Sequence, residues 1–396
     1  MPPRLITLAF APFAFGTTAF IFIGLIAPIA TDLRVAVPVV GQLQTVFAVA
    51  CAVGAPLLAR RLGETSRRRV LVAVMGGLVA VNVASAIAPT LSMMMAARLL
   101  GGLFAGLSLP LASSIAVACA PDEKRPAAIA LVLGGYTLAF IFGVPLGSVV
   151  GAEFGWRAAF WFAAAVSVVA MLTIWLAAPR QEPPPQPQGL GFKDAIVGEN
   201  RLLMLVTLAA FIATFVSIAF TGPVVTLATG LEGSAIGGLQ LATGVGSIIG
   251  LPAGAMLAKL PARRALTMLF LAILATQALF SVAMLNDLGW AAIPATIVAM
   301  GAGSAALFAT SPIIQSRLSV NAGAAATIAF ALNGSMVYFG QGLGSMVGGS
   351  VAAVAGLEWV GFGGAAVALV GLMLASRLRG AQTRSDAPAG HTSPAE

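Results

Sequence analysis

Charged residues are scarce in this chain. Lysine, arginine, aspartate and glutamate make up 9% of its 396 residues, against about a quarter in an ordinary soluble domain. So few charges cannot cover a water-soluble surface of this size. The single histidine, His391, lies in a polar C-terminal tail, which excludes a histidine-based active site or proton relay inside a membrane.

Cysteines are also few, and motifs for cofactor or nucleotide binding are missing. Cys51 and Cys119 both fall within apolar runs, where a small buried hydrophobic side chain is the expected role. No disulfide framework, metal site or cofactor is therefore predicted. The sequence contains no Gly-x-x-x-x-Gly-Lys-Ser/Thr phosphate-binding loop, so we do not expect an ATP-driven pump.

Twelve uncharged and mostly apolar runs fill most of the chain instead. Each is 18 residues or longer, enough for an α-helix to cross a hydrocarbon core that needs about 20 residues. A transmembrane barrel would alternate polar and apolar residues, and these runs do not. The first run exceeds the apolar core of a cleaved signal peptide, so we expect it to remain. The runs are 5–31, 35–59, 70–97, 99–121, 126–152, 158–179, 202–231, 233–258, 265–286, 288–316, 318–357 and 359–376.

The net charge of +8 follows from where the basic residues lie. If the N-terminus is cytoplasmic, the inner segments hold all of the 21 lysines and arginines except Arg34, Arg98 and Arg157. Lysine and arginine accumulate in cytoplasmic loops, so both termini are predicted to be cytoplasmic. The basic balance therefore indicates topology in a lipid bilayer and not nucleic-acid binding.

A linker at residues 180–201 divides the chain nearly in half. It contains the proline-rich run 183–187, and such segments behave as extended, semi-rigid spacers. We expect an N-terminal six-helix bundle at 1–179, a C-terminal bundle at 202–378 and a disordered cytoplasmic tail at 379–396.

A glycine motif is repeated in the two predicted bundles. The sequence from Gly143 to Gly151, G-x-x-L-G-S-x-V-G, recurs from Gly340 to Gly348. The repeat predicts a duplication, and so an all-α polytopic fold of twelve transmembrane helices in two pseudo-symmetric bundles. Transporters with such repeats bind substrate near mid-membrane between the halves. Glycines four residues apart allow either close packing within one half or dimerisation, and we expect close packing and a monomer.

Three motifs lie within the first run and at its end, around the start of the fourth run and around the end of the fifth run. They read Gly16-Thr17-Thr18-Ala19-Phe20 with Pro28-Ile29-Ala30-Thr31-Asp32-Leu33, Ala97-Arg98-Leu99-Leu100-Gly101-Gly102, and Gly143-Val144-Pro145-Leu146-Gly147 with Phe154-Gly155-Trp156-Arg157. Together they resemble the major facilitator superfamily, particularly its bacterial drug and sugar efflux branch. The resemblance implies a proton-driven antiporter of the bacterial inner membrane. It also implies efflux, because the fifth-helix Gly/Pro motif is associated with exporters.

Two places depart from the pattern of that branch. Ala19 stands where members often carry glutamate, and the loop after the second helix reads Leu62-Gly63-Glu64-Thr65-Ser66-Arg67-Arg68, which matches the usual charged loop only in part. The resemblance implies that Glu64, Arg67 and Arg68 belong to the inner gate.

Arg98 is the charged residue set deepest within an apolar span. Placing an arginine there costs free energy, so we expect it either to have a function or to have a firmly bound partner. Asp32 ends the first run on the side where the fourth run begins, so we expect the two to pair. A structural ion pair or a snorkelling arginine is the alternative to a proton-sensitive coupling element.

Residues with aromatic or neutral polar side chains near the middles of their helices are the candidates for substrate binding. The resemblance implies a cavity lined chiefly by helices one, four, seven and ten. For each candidate, helix packing is an alternative role, since serine, threonine and asparagine also join membrane helices. The candidates are Thr17, Phe20, Gln44, Phe104, Ser108, Tyr136, Thr214, Ser217, Gln240, Phe308 and Asn333.

The expected function is secondary active export of a small organic compound, such as a drug, sugar or nucleoside, by alternating access. A facilitator or importer without proton coupling is the alternative within transport, because Asp32 is the only carboxylate in a plausible span. A membrane-embedded enzyme would need convergent reactive groups in the spans, and neither a histidine nor a carboxylate pair is available there. A non-transporting receptor on a transporter fold remains open.

Overall fold

The computed structural model describes residues 3–61, 66–179, 192–286 and 288–378. Twelve helical segments correspond to the twelve predicted runs in this part of the chain. Two are broken where Leu25 and Phe220 leave the helical backbone conformation: α1 comprises α1a, Phe10–Phe20, and α1b, Ile26–Asp32; α7 comprises α7a, Asn200–Ile218, and α7b, Thr221–Thr229. The others are α2 (Val37–Arg61), α3 (Arg67–Ala86), α4 (Leu91–Ala105 with Ser108–Cys119), α5 (Arg125–Leu138, a π turn Ala139–Gly143, and Val144–Phe154), α6 (Trp156–Ala177), α8 (Ser234–Leu257), α9 (Ala262–Leu285), α10 (Ala292–Ala322), α11 (Ala326–Val354) and α12 (Val360–Ser376).

Ten helices among the described residues are long and apolar enough to cross a membrane on their own. The broken first helix is shorter. The 29 residues of α11 include Asn333, Gln341 and several glycines, which lower its apolar character. The predicted all-α polytopic fold is confirmed, and the chain is a multi-pass membrane protein.

The same helix pairs pack together in the first and second halves of the chain. In the first half, α2 packs on α4, α3 on α6 and α1 on α5; in the second half, α8 packs on α10, α9 on α12 and α7 on α11. The halves meet mainly where α2 packs on α11 and α5 packs on α8. The predicted bundle boundaries remain predictions, and residues 180–191 of the predicted linker and the predicted tail at 379–396 lie outside the described residues.

The repeated glycines bring helices together within each half. A Cβ at Gly147 would overlap Ile21 of the first helix, and one at Gly344 would come 2.8 Å from the Cβ of Phe215 on α7a. The predicted role of these glycines in packing within each half is therefore confirmed. Their lack of a side chain lets α5 and α11 lie directly against the two broken helices.

The contacts between the halves lie towards one face of the protein. Odd-numbered helices end at this face, which we call the far face; even-numbered helices end at the linker face. Across the halves, Thr45 donates to the carbonyl of Gly342 at 3.1 Å and Ser345 donates to that of Gly41 at 2.8 Å. Ser148 of α5 similarly donates to Gln240 of α8 at 2.7 Å. We call this the far-closed arrangement.

Candidate functional site

The breaks in α1 and α7 meet between the two halves. The backbone N–H of Gly222, just after the break in α7, donates to the carbonyl of Ile23 within the break in α1, at 2.9 Å. A Cβ at Gly222 would lie 2.8 Å from the carbonyl oxygen of Gly24. Only glycine permits this approach without displacing one half from the other.

Eight aromatic rings from six helices surround the point where the halves meet. Phe20 of α1a lies 5.0 Å from Phe140 of α5 and 5.8 Å from Phe215 of α7a, measured between ring centroids. Phe140 in turn lies 5.7 Å from Phe308 of α10. Edge-to-face and offset rings at these distances attract one another. The aromatic cluster consists of Phe15, Phe20, Phe47, Tyr136, Phe140, Phe215, Phe308 and Tyr338.

Buried amide groups lie beside the aromatic cluster without hydrogen-bond partners. Both amide atoms of Gln44, and the amide nitrogen of Gln341, lack a partner among the described residues. Gln44 lies three residues before Phe47 and therefore on the same face of α2, while Gln341 adjoins Tyr136. An unpaired buried amide is expensive. These groups could hydrogen-bond a polar ligand that reaches the cluster.

The structure brings together some of the predicted substrate residues and separates others. Phe20, Tyr136 and Phe308 lie in the aromatic cluster, and Gln44 lies beside it. Ser108 is fully buried, with no partner for its hydroxyl among the residues described. Gln240 accepts a hydrogen bond from α5 across the halves. Their roles in substrate binding remain predictions.

Several other candidates contact neighbouring helices of their own half. Thr17 donates to Phe13 at 2.9 Å and lies against Gly143 of α5. The ring of Phe104 covers Gly77 of α3. Asn333 accepts from Thr207 of α7a at 2.8 Å. Thr214 and Ser217 line a separate small cavity inside the second half.

Five of the eight rings of the aromatic cluster were not recognised as site residues in the sequence. Phe15, Phe47, Phe140 and Phe215 are four of 22 phenylalanines, most of which would suit a lipid-facing or packed position equally well. The spacing of Tyr136 and Phe140, one helical turn apart, could have indicated a shared face. Tyr338 completes the cluster from α11, so both tyrosines of the chain belong to it.

Arg98 lies inside the first half, surrounded by aromatic rings. Its side chain is 2% exposed, and its Nη1 donates to the carbonyl of Thr18 in the last turn of α1a at 2.7 Å. The guanidinium carbon lies 4.5 Å from the ring centroid of Phe22 and 5.1 Å from that of Phe160. Such cation–π contacts strengthen when desolvated. They partly replace the hydration that the buried charge has lost.

The predicted pairing of Asp32 with Arg98 is wrong. Asp32 instead accepts from Arg157 at 2.6 Å and from the indole N–H of Trp156 at 3.1 Å. Arg98 lies at the level of Thr18, and the fourteen residues from there to Asp32 correspond to roughly 20 Å of helix. The two charges therefore lie at different depths in the membrane.

Asp32 belongs to a cluster at the far face. Arg157 also donates to the carbonyl of Ala88 at 3.1 Å, so the pair ties together the ends of α1b and α3 and the start of α6. Asp32 is 46% exposed and lies just beyond the apolar span. Hydrogen bonds from Arg157 and Trp156 hold the pKa of the Asp32 carboxyl below its ordinary value of 3.8. The carboxyl is thus ionised at neutral pH in this arrangement.

The predicted inner gate is described only in part. Arg68 donates to the carbonyls of Ile174 and Trp175, near the linker-face end of α6, and so holds α3 against α6. Arg67 begins α3. Glu64 lies outside the described residues, and a role in gating remains a prediction for all three.

Two halves that enclose an aromatic site, with helix breaks beside it, are the architecture of a membrane transporter. Residues 8–330 match the model of the Major Facilitator Superfamily, and the chain belongs to that superfamily. The family predicted from the motifs is therefore confirmed.

Two proteins of similar sequence match most of this chain. The inner membrane transport protein YdhP of Escherichia coli is 30% identical over 379 residues, which cover 93% of this chain and 94% of that protein. A chloramphenicol resistance protein of Streptomyces lividans is 34% identical over 255 residues, 63% of this chain and 65% of that protein.

Solved structures agree on the fold. The crystal structure of a bacterial homologue of the human lysosomal transporter Spinster, inward-facing and occupied, superposes with a TM-score of 0.73 at 17% sequence identity. The match covers 94% of this chain and 95% of that one.

Proposed function

We propose that this chain exports a small, neutral or weakly cationic organic compound that carries an aromatic ring, by alternating access across the bacterial inner membrane. The main support for this proposal is the aromatic cluster, to which both halves contribute rings. Gln44 and Gln341 have unpaired amide atoms beside it. Stacking on such rings contributes about 0.5–1.5 kcal/mol per pair. The amides favour a ligand with hydroxyl or amide groups. An aromatic drug or a nucleoside fits these groups better than a sugar does.

Export rather than import is supported by two observations. The fifth helix carries the Gly/Pro motif from Gly143 to Gly147 that resembles exporters. A chloramphenicol resistance protein is similar to this chain over 63% of its length. Chloramphenicol is a neutral aromatic compound with an amide and hydroxyls. With both termini in the cytoplasm, the far face is the outer face and the far-closed arrangement is the one that loads substrate from inside.

The aromatic cluster is tested by a matched pair of phenylalanines on one helix. Phe140 is 5% exposed and lies in the cluster, whereas Phe142, in the same π turn, is 51% exposed. We expect Phe140→Ala to lower kcat/KM for chloramphenicol transport about tenfold through lost ring contacts, and Phe142→Ala to leave it unchanged. The measurement is uptake of labelled compound into proteoliposomes, repeated with a panel of aromatic nucleosides and sugars.

Ligand-induced stabilisation separates a binding role for Phe140 from a packing role. The thermal unfolding midpoint of the wild type is expected to rise with added compound, and that of Phe140→Ala to respond much less even where the variant is folded. Equal transport by both variants, or an equal loss in both, would remove the cluster as the site.

We further propose that protons drive this export through Asp32. Coupling through a carboxylate requires its pKa to differ between two arrangements, and the Arg157 and Trp156 contacts hold the pKa of Asp32 low in the far-closed one. In proteoliposomes, substrate is expected to evoke a pH change with the wild type that Asp32→Asn loses, while substrate binding persists. The control is Glu153→Gln, an exposed carboxylate near the far-face end of α5.

A facilitator of the same compounds is the second candidate. Asp32 is 46% exposed at the far face although the halves are closed there, so its proton can exchange with that side in this arrangement as well. Apart from helix ends, the membrane-crossing helices contain no aspartate or glutamate within the described ranges. Substrate flux without a pH change, in the wild type and in Asp32→Asn alike, would establish this alternative.

A further inference from the structure

In the first half of the protein, a positive charge lies at the end of a half-helix, which here means one of the two segments of a broken helix. α1a ends at Phe20, and the guanidinium of Arg98 binds the carbonyl of Thr18 in its last turn at 2.7 Å. Unpaired carbonyls give the C-terminal end of a helix a negative partial charge. A cation is therefore the favoured occupant of this position.

The second half has the corresponding half-helix but a serine at the position that matches Arg98. Gly54 packs against Leu103 where α2 crosses α4, and Gly254 packs against Ala309 where α8 crosses α10. These contacts make Leu103 and Ala309 equivalent positions on α4 and α10. Arg98 lies five residues before Leu103, and Ser304 lies five residues before Ala309, so Ser304 is the counterpart of Arg98. The short side chain of Ser304 reaches far less than an arginine does, and a cavity lies between it and the end of α7a.

This cavity is small and lined by oxygen-bearing side chains. It has room for about one water molecule. Its walls come from α7, α8, α9 and α10, with apolar contacts from Ile218, Val224 and Phe280. The polar side chains that line it are Thr214, Ser217, Thr221, Thr243, Gln277 and Ser304.

The hydroxyl protons around this cavity are already engaged. Thr214 donates to Ala210 at 2.8 Å, Thr221 to Ile218 at 2.7 Å and Ser304 to Thr243 at 2.8 Å, each to a backbone carbonyl. Ser217 donates to the side-chain oxygen of Gln277 at 2.7 Å. A hydroxyl has one proton and two lone pairs, so these four oxygens are left as acceptors for an occupant.

We propose that this cavity binds a sodium ion. Neutral oxygen ligands suit a hard monovalent cation, whereas calcium and magnesium sites rely on carboxylates. Half-helix C-terminal ends and unwound carbonyls are known to coordinate sodium in transporters, and α7a ends at Ile218 on the cavity wall. The ion would take the place that the guanidinium of Arg98 fills in the first half.

Sodium binding is tested without any substrate, so that it can fail or succeed independently of the proposed export. The purified protein is unfolded thermally in NaCl, KCl and choline chloride at equal ionic strength. We expect the midpoint to rise with sodium alone. Above the dissociation constant it should rise with the logarithm of the sodium concentration, as for any ligand that binds only the folded state.

Variants locate the site. Ser304→Ala and Ser217→Ala each remove one oxygen and are expected to weaken the apparent sodium affinity about tenfold or more, because even groups that only orient a ligand change metal affinity about 10–100-fold. Ser316→Ala on α10, whose hydroxyl bonds within its own helix, is the matched control. Equal midpoints in the three salts would mean that the cavity holds only water and would overturn the proposal. A wild-type sodium response in both cavity variants would also overturn it.

Discussion

Replacing Gly222 with alanine is expected to disfavour closure of the far face and to reduce transport strongly. A Cβ there would lie 2.8 Å from the oxygen of Gly24 and 3.1 Å from that of Ile23, and both are backbone atoms that cannot rotate away. Overpacking of this kind costs about 1–3 kcal/mol, which corresponds to a roughly 5- to 150-fold smaller population of the far-closed arrangement. Leucine at the same position is expected to be more severe.

The closure is measured with cysteines at Ser148 and Gln240, whose side chains meet across the halves at the far face. A short bifunctional thiol reagent should join them readily in a background without the natural cysteines, and much more slowly once Gly222→Ala is added. Gly238→Ala is the matched control, since a Cβ there has no neighbour within 4 Å. Unchanged cross-linking and transport in Gly222→Ala would contradict the role of the meeting breaks.

The helices and their number were predictable because the bilayer imposes a length on every span. Uncharged runs of 18 residues or more each contain a helical segment, and the repeated glycines indicated which helices lie closest within each half. Glycines spaced four residues apart lie on one face of a helix, and their missing side chains let another helix approach closely there. Their spacing therefore predicts a packed face. The arrangement of these helices around a centre then follows from the duplication.

The breaks in the helices could not be predicted in the same way. Residues 21–25 read Ile-Phe-Ile-Gly-Leu, which is as apolar as any continuous helix and contains no proline. The pairing of Asp32 with Arg98 was expected because Asp32 ends the first run on the side of the membrane where the fourth run begins. Arg98 instead binds a carbonyl in the last turn before the break, among aromatic rings, and Asp32 has two other partners at the far face.

The centre of the site was predictable only in part for a related reason. Phe20, Tyr136 and Phe308 were found from their position near mid-helix, but composition does not tell which face of a membrane helix turns inward. In a soluble protein the polar face identifies the apolar one; here most faces are apolar, and the distinction disappears. The unpaired amides of Gln44 and Gln341 are the exception, because polar side chains in lipid are expensive.

The two halves share their helix packing but differ in how each terminates its broken helix. In the first half Arg98 brings a permanent charge to the end of α1a; in the second half α7a ends at a cavity walled by neutral oxygens. If the cavity binds sodium as proposed, the second half has an exchangeable cation where the first half has a permanent one.

Arg98→Met is expected to leave the protein folded but to reduce transport strongly. Methionine fills most of the same volume among Phe22, Phe47 and Phe160, and replacing a buried charge by an apolar side chain of similar size is often neutral or stabilising. What it removes is the bond to the Thr18 carbonyl. A hydrogen bond from a charged donor contributes about 1.5–3 kcal/mol. Without it, the equilibrium constant that favours the observed position of the break over other positions should fall about 10- to 100-fold.

Two further substitutions at Arg98 distinguish this role from packing. Arg98→Lys keeps a positive charge that can reach a carbonyl but lacks the planar group that covers three rings, and it is expected to retain part of the transport. Arg98→Ala removes volume as well as charge and should lower the thermal unfolding midpoint well below that of Arg98→Met. If methionine supports transport as well as arginine does, the charge has no function beyond filling space. If lysine restores what methionine loses, the cation at the end of α1a is what the first half of the transporter requires.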